Sequence, residues 1–135
     1  MKGIILLAML LACGTARGNE WVSVGKTDDG KQVLVDVSSI RVDGDIRRAW
    51  IKGVGRPNTT RGPGKYSDRW LSYFLTRESF NCTEELVRTE SKKAYFDDGS
   101  SISDSPESYP TQWKPVEPES RGHAEMQFIC AWEKK

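Results

Sequence analysis

Residues 69–82 are the longest stretch of this chain that can run as one strand, and the alternation within them constrains everything around them. Trp70, Phe74, Phe80 and Cys82 fall on even positions and make one apolar face, interrupted by Thr76 and Glu78. The Gly-free, Pro-free segment 85–97 is expected to return antiparallel after a turn at Thr83-Glu84.

Shorter elements flank this pair. Residues 20–24 and 32–37 are β-branched runs separated by Lys26-Thr27-Asp28-Asp29-Gly30, which predicts a hairpin. Asp36-Val37-Ser38-Ser39-Ile40 reads as a single helical turn or tight corner, and Val42-Asp43-Gly44-Asp45 as a turn. Residues 46–54 read as a strand with Ile46, Arg48, Trp50 and Lys52 on one face and Arg47, Ala49, Ile51 and Gly53 on the other. Residues 55–68 hold two Pro and several Gly without periodicity and are expected to be a long exposed loop. Residues 98–110 read as a polar loop, and the prolines of 113–118 exclude a central strand or helix there. The last segment fits both periods. Ser120 as an N-cap decides for a helix from about Ser120 to Trp132.

The N-terminus is an address. Met1-Lys2 precedes an apolar run, Ile4 to Leu11, which is too short for the roughly 20 residues a bilayer span needs. Leu10-Leu11-Ala12-Cys13 has the arrangement of a bacterial lipoprotein signal, in which Cys13 is acylated and becomes the new N-terminus. The competing cut, after Gly14-Thr15-Ala16, leaves Arg17 first. The organisation expected is therefore a signal over 1–16 with its lipobox ending at Cys13, a tether over 17–19, and one domain over 20–135. With Cys13 acylated or lost, Cys82 and Cys130 are an even pair in an exported chain, and a disulfide is expected over two independent buried thiols. Closing that loop would stabilise the fold by roughly 3 to 4 kcal/mol.

Charge and side-chain chemistry exclude several functions. Twenty Lys and Arg against 19 Asp and Glu leave a formal charge of +1, and either cut removes Lys2, so no field of one sign draws the molecule to nucleic acid. One histidine, His123, supports neither a His-rich metal site nor a Ser-His-Asp constellation. Asp97-Asp98-Gly99-Ser100 with Asp104 is no calcium loop, because Ser108 stands where a bidentate acid is required. No enzyme, metal or cofactor is expected. The charge is regional, however: Arg47, Arg48, Lys52, Arg56, Arg61, Lys65 and Arg69 share 23 residues with Asp68 as the lone acid, and seven acids follow within 84–107. These cations are the candidates for docking an anionic partner. The bland alternative is a solvated edge strand and loop. Five Trp, one per element, read as core and interface anchors.

Glu20-Trp21-Val22, Val35-Asp36, Ser38-Ser39-Ile40-Arg41, Gly44 and Trp50, followed by Phe80-Asn81-Cys82, Trp113-Lys114-Pro115-Val116-Glu117-Pro118, Ser120, Gly122 and Cys130, resemble the surface-adhesin protein E family of bacterial envelope proteins. The resemblance covers residues 20–130. It implies an α+β fold, a single antiparallel sheet of about five to six strands packed against a C-terminal helix, with Cys82 and Cys130 joining sheet to helix. It further implies an outer-membrane lipoprotein that binds extracellular protein, such as host matrix or serum protein. A periplasmic accessory or structural lipoprotein is the alternative.

Overall fold

The computed structural model describes residues 18–27, 30–104 and 111–134. Cys13 and the rest of the signal, and the turn residues Asp28 and Asp29, lie outside the described residues. One antiparallel sheet dominates. β1 (Trp21–Lys26) and β2 (Gln32–Asp36) form the expected hairpin, closed by Thr27 N–H to the Lys31 carbonyl and Gly30 N–H to the Thr27 carbonyl, both 2.9 Å. Gly30 sits at φ 81°, the left-handed region that favours glycine.

Asp36 ends β2 and opens a single 3-10 turn over Val37–Ser39, the corner read from the sequence. Its Oδ1 accepts from the Glu20 N–H, the Ser38 N–H and the Ser38 hydroxyl, while Ser39 Oγ donates to the Asp36 carbonyl and accepts from the Trp50 N–H. The D-x-S-S segment thus ties the chain entry, the β2 corner and the next long strand into one network. Asp36 is 3% exposed, so Asp36→Ala strands those donors and is expected to cost about 2 to 4 kcal/mol, read as a lower urea midpoint with an unchanged slope.

β3 (Arg41–Asp43) and β4 (Ile46–Val54) follow across a turn at Gly44, φ 56°. β5 (Leu71–Asn81) and β6 (Leu86–Phe96) are the long hairpin, turned by Asn81 Oδ1 accepting from the Thr83 and Glu84 N–H groups. β7 (Ser101–Ser103) and β8 (Lys114–Pro115) complete the sheet. Its order is β1-β2-β4-β5-β6-β7, with β3 beside the first half of β4 and β8 beside the start of β6. The helix α1 (Arg121–Ala131) closes the fold, and Ser120 caps it by accepting from the His123 N–H at 3.1 Å.

Three details depart from the alternation in the sequence. β5 starts at Leu71, and a bulge before Tyr73 breaks the period, so Trp70 does not continue the face of Phe74 and Phe80; it makes an isolated bridge to Arg61. The loop 55–68 holds a 3-10 turn at Gly64–Tyr66. The polar loop 98–110 contains β7, which the Ser-Ile-Ser composition conceals.

The core lies between one sheet face and α1. Met126 and Ile129 of the helix pack on Val33, Val35, Ala49, Ile51 and Phe80, and each of these buried side chains other than Ala49 contributes roughly 1.5 to 3 kcal/mol. Cys82, just past β5, is bonded to Cys130 near the helix end, with Cα atoms 5.8 Å apart.

Candidate interaction surface

The register shows what the other face presents. Residues directly opposite in an antiparallel pair share a face, so Trp50 and Arg77 lie together, as do Lys52, Leu75 and Lys93, and Tyr73 and Tyr95. The helix packs on the opposite face, and among the described residues no element covers this one.

This open face is organised by one carboxylate. A bulge between Arg77 and Glu78 leaves Glu90 as an extra residue on β6, and its carboxylate gathers the groups around it. Arg48 Nε and Arg77 Nε both lie 3.0 Å from Oε2, while Oε1 accepts from Arg88 Nη2 at 3.3 Å and from the Ser79 hydroxyl at 2.8 Å. Burial alone would raise this carboxyl, but the Ser79 hydroxyl with Arg48 and Arg77 outweighs it and holds Glu90 below its ordinary value. The guanidinium groups are held in place yet 36 to 46% exposed. One carboxylate neutralises one of three cations, so the cluster stays positive.

Aromatic rings interleave with these cations. Lys52 Nζ lies 4.3 Å from the Tyr73 ring centroid and 5.5 Å from that of Trp21. Tyr73 stacks on Tyr95 at 4.5 Å, and Lys93 Nζ is 5.0 Å from Tyr95. Arg77 lies over Trp50 and Arg88 over Trp113, at 5.8 and 4.8 Å. Each ring is half-buried, so its apolar surface is presented without being freely mobile.

The seven cations singled out from the sequence do not form one patch. Arg48 and Lys52 belong to the open face. Arg47, one residue along, points to the helix side, where Nη1 donates to the carbonyls of Ile129 at 2.9 Å and Trp132 at 2.6 Å and satisfies the helix C-terminus. Arg61 stacks on Trp70 at 3.6 Å and donates to the Asp68 carbonyl. Arg69 pairs with Asp98 at 3.4 Å and donates to Ser100 Oγ. Lys65 lies over Tyr66 at 5.3 Å, and the Arg56 guanidinium lies against Gly30. Trp50 and Trp113 are among the five Trp that the sequence marks as core and interface anchors, whereas Arg77, Arg88, Lys93, Tyr73 and Tyr95 are not singled out there; the odd positions of the 69–82 alternation carry the signal for two of them, Tyr73 and Arg77.

Among the described residues no three His, Cys, Asp or Glu side chains are grouped to hold a metal, and no helix is long and apolar enough to cross a membrane.

Residues 21–131 match the protein family described as surface-adhesin protein E. A structure of Haemophilus influenzae protein E superposes with a TM-score of 0.57 at 17% identity, covering 82% of this chain and 83% of that one. Protein E from non-typeable Haemophilus influenzae gives 0.56 at 17% identity over 90% and 82% of the two chains. At such identities the likeness is one of fold, and it bears out the single antiparallel sheet with a C-terminal helix. A search of curated proteins gives no match.

Proposed function

Because the chain belongs to the surface-adhesin protein E family and is an adhesin-like envelope protein, we propose that it is an adhesion module whose contact surface for an extracellular protein is the open face of its sheet. The observation that carries this reading is the Glu90-centred array of Arg48, Arg77 and Arg88 flanked by Trp50, Trp113 and the Lys52-Tyr73-Tyr95-Lys93 row. Aromatic residues and arginine dominate the binding energy of protein interfaces, because they bring large apolar area and directed hydrogen bonds at low ordering cost. Guanidinium groups already fixed by Glu90 lose little freedom on docking. The positive balance selects a partner with acidic segments and speeds encounter with it.

Acylation of Cys13 holds the domain to the membrane through the short polar tether, with the two or three chains that stable anchoring needs. Mass spectrometry of the mature N-terminus is expected to give an acylated Cys13; a chain beginning at Arg17 would remove the anchor. Protease treatment of intact cells tests the adhesive role itself. The domain should be cleaved from the surface; protection until the outer membrane is broken would leave a periplasmic accessory protein instead.

A further inference from the structure

A small cavity of about 210 Å³ lies beside the 3-10 corner where β3 begins, lined by Ser39, Arg41, Arg48, Ala49, Trp50 and Arg77. Arg41 stands opposite Arg48 in the register, and Arg77 stands opposite Trp50, two residues further along β4. Three adjacent strands thus bring one guanidinium each to the same face. Ser39 ties the corner to Trp50, its hydroxyl accepting from the Trp50 N–H at 2.9 Å.

Each guanidinium is already anchored. Arg77 Nε donates to Glu90 Oε2 and Arg48 Nε pairs with the same oxygen, both at 3.0 Å, while Arg41 Nη1 donates to the carbonyls of Ser38 and Ile40, both at 3.1 Å. The Nη groups of Arg48 and Arg77, with Nε and Nη2 of Arg41, have no hydrogen-bond partner among the described residues. No carboxylate lines the cavity, and Glu90, the acid paired with its arginines, offsets one of three charges. Guanidinium forks match the oxygens of an ester oxyanion and, once anchored, lose little freedom in binding it.

We propose that this cavity seats a sulfate or phosphate ester carried on an aromatic ring, as on a modified tyrosine of the extracellular protein partner, with its oxygens on Arg41, Arg48 and Arg77 and its ring against Trp50. The assignment rests on the open face being the contact surface and names the group recognised there. The Trp50 ring centroid lies 5.8 Å from the Arg77 guanidinium carbon, which sets a ring wall beside an ester site. Other chemistries fit less well. A cation meets three like charges, a carboxylate offers two oxygens to three forks, and a neutral ring leaves the donors unmet. A sulfated glycan carries its esters in series and calls for cations in a row, whereas these three gather round one cavity.

Calorimetric titration of the full chain with a short acidic peptide bearing one sulfotyrosine, with its phosphotyrosine and unmodified counterparts, and with a heparin hexasaccharide tests the proposal. An esterified peptide should bind at least tenfold more tightly than the unmodified one, the tighter of the two naming the ester, and should shift the NMR signals of the Trp50 indole N–H and Arg77 Nε–H. Arg41→Gln, at an exposed position, should cut that preference to about twofold or less. Arg77→Gln should act alike, with melting reporting that both variants remain folded, and Arg56→Ser in the loop should leave the preference intact. Equal affinity of the three peptides, or a preference that survives both arginine variants, would overturn the site. Tighter binding of the hexasaccharide, lost in the same variants, would overturn the peptide as its occupant. Equal peptide affinities alongside adhesion that still depends on Lys52 and Lys93 would sink this assignment alone and leave the open face as the contact surface.

Discussion

Replacing Cys82 and Cys130 by Ala together is expected to lower stability by roughly 3 to 4 kcal/mol, the loop-closure value for their separation of 48 residues. For a domain of this size that is a fall of about 10 to 20 °C in Tm. The loss should concentrate in α1. An 11-residue helix is marginal in isolation, and without the bond it is held by Met126, Ile129 and the Arg47 contacts to its last carbonyls. Hydrogen exchange in 121–131 should therefore rise before exchange in β4 and β5 does. Equal melting of the oxidised, reduced and double-Ala proteins would show that the bond carries no stability.

The domain is also expected to be less stable at pH 8 than at pH 5, the reverse of ordinary acid denaturation. Burial raises the Glu125 carboxyl from 4.5 to about 7, and Glu78 is raised by burial as well. Between those two values the folded state keeps a proton that the unfolded chain has released. Stability is therefore fully present below about pH 4.5 and falls as pH rises through 7, by an amount on the order of 3 kcal/mol for Glu125. Glu90, held below its ordinary value, acts in the opposite sense but only at lower pH, where protonating it dissolves the arginine cluster. Glu125→Gln should match the native protein at pH 4.5 and exceed it at pH 8. Urea midpoints measured across this range check the sign; native stability that rises from pH 5 to pH 8 would contradict it.

Much of the fold is legible in the residues. β4 spans the predicted 46–54, and the Ser120 cap starts α1 at Arg121. These elements carry their own period or cap. The short strands do not: Arg-Val-Asp, Ser-Ile-Ser and Lys-Pro have no strand signature, and they pair because β4 and β6 offer unmet backbone groups along their edges. Bulges are equally silent. The one at Arg77/Glu78 places Glu90 under three guanidinium groups, and no local pattern announces an extra residue. The candidate site was legible only in part, because a charge run is counted along the chain while a surface is assembled across strands. Arg47 and Arg48 are neighbours in sequence and lie on opposite faces. Thr76 and Glu78, which interrupt the apolar face of β5, line a cleft bounded by β6 and the first half of α1.

Adhesion of cells displaying the full chain to immobilised matrix and serum proteins, followed against salt concentration, tests the role of the open face most directly. Lys52→Glu with Lys93→Glu reverses charge there without touching the core, and is expected to weaken adhesion at least tenfold and flatten its salt dependence. Arg56→Ser, Arg61→Ser and Lys65→Ser together, confined to the loop, should leave it within about twofold, since they lie outside the Glu90 array. Adhesion that survives reversal of the open face, or that is lost with the loop cations instead, would contradict this assignment of the contact surface.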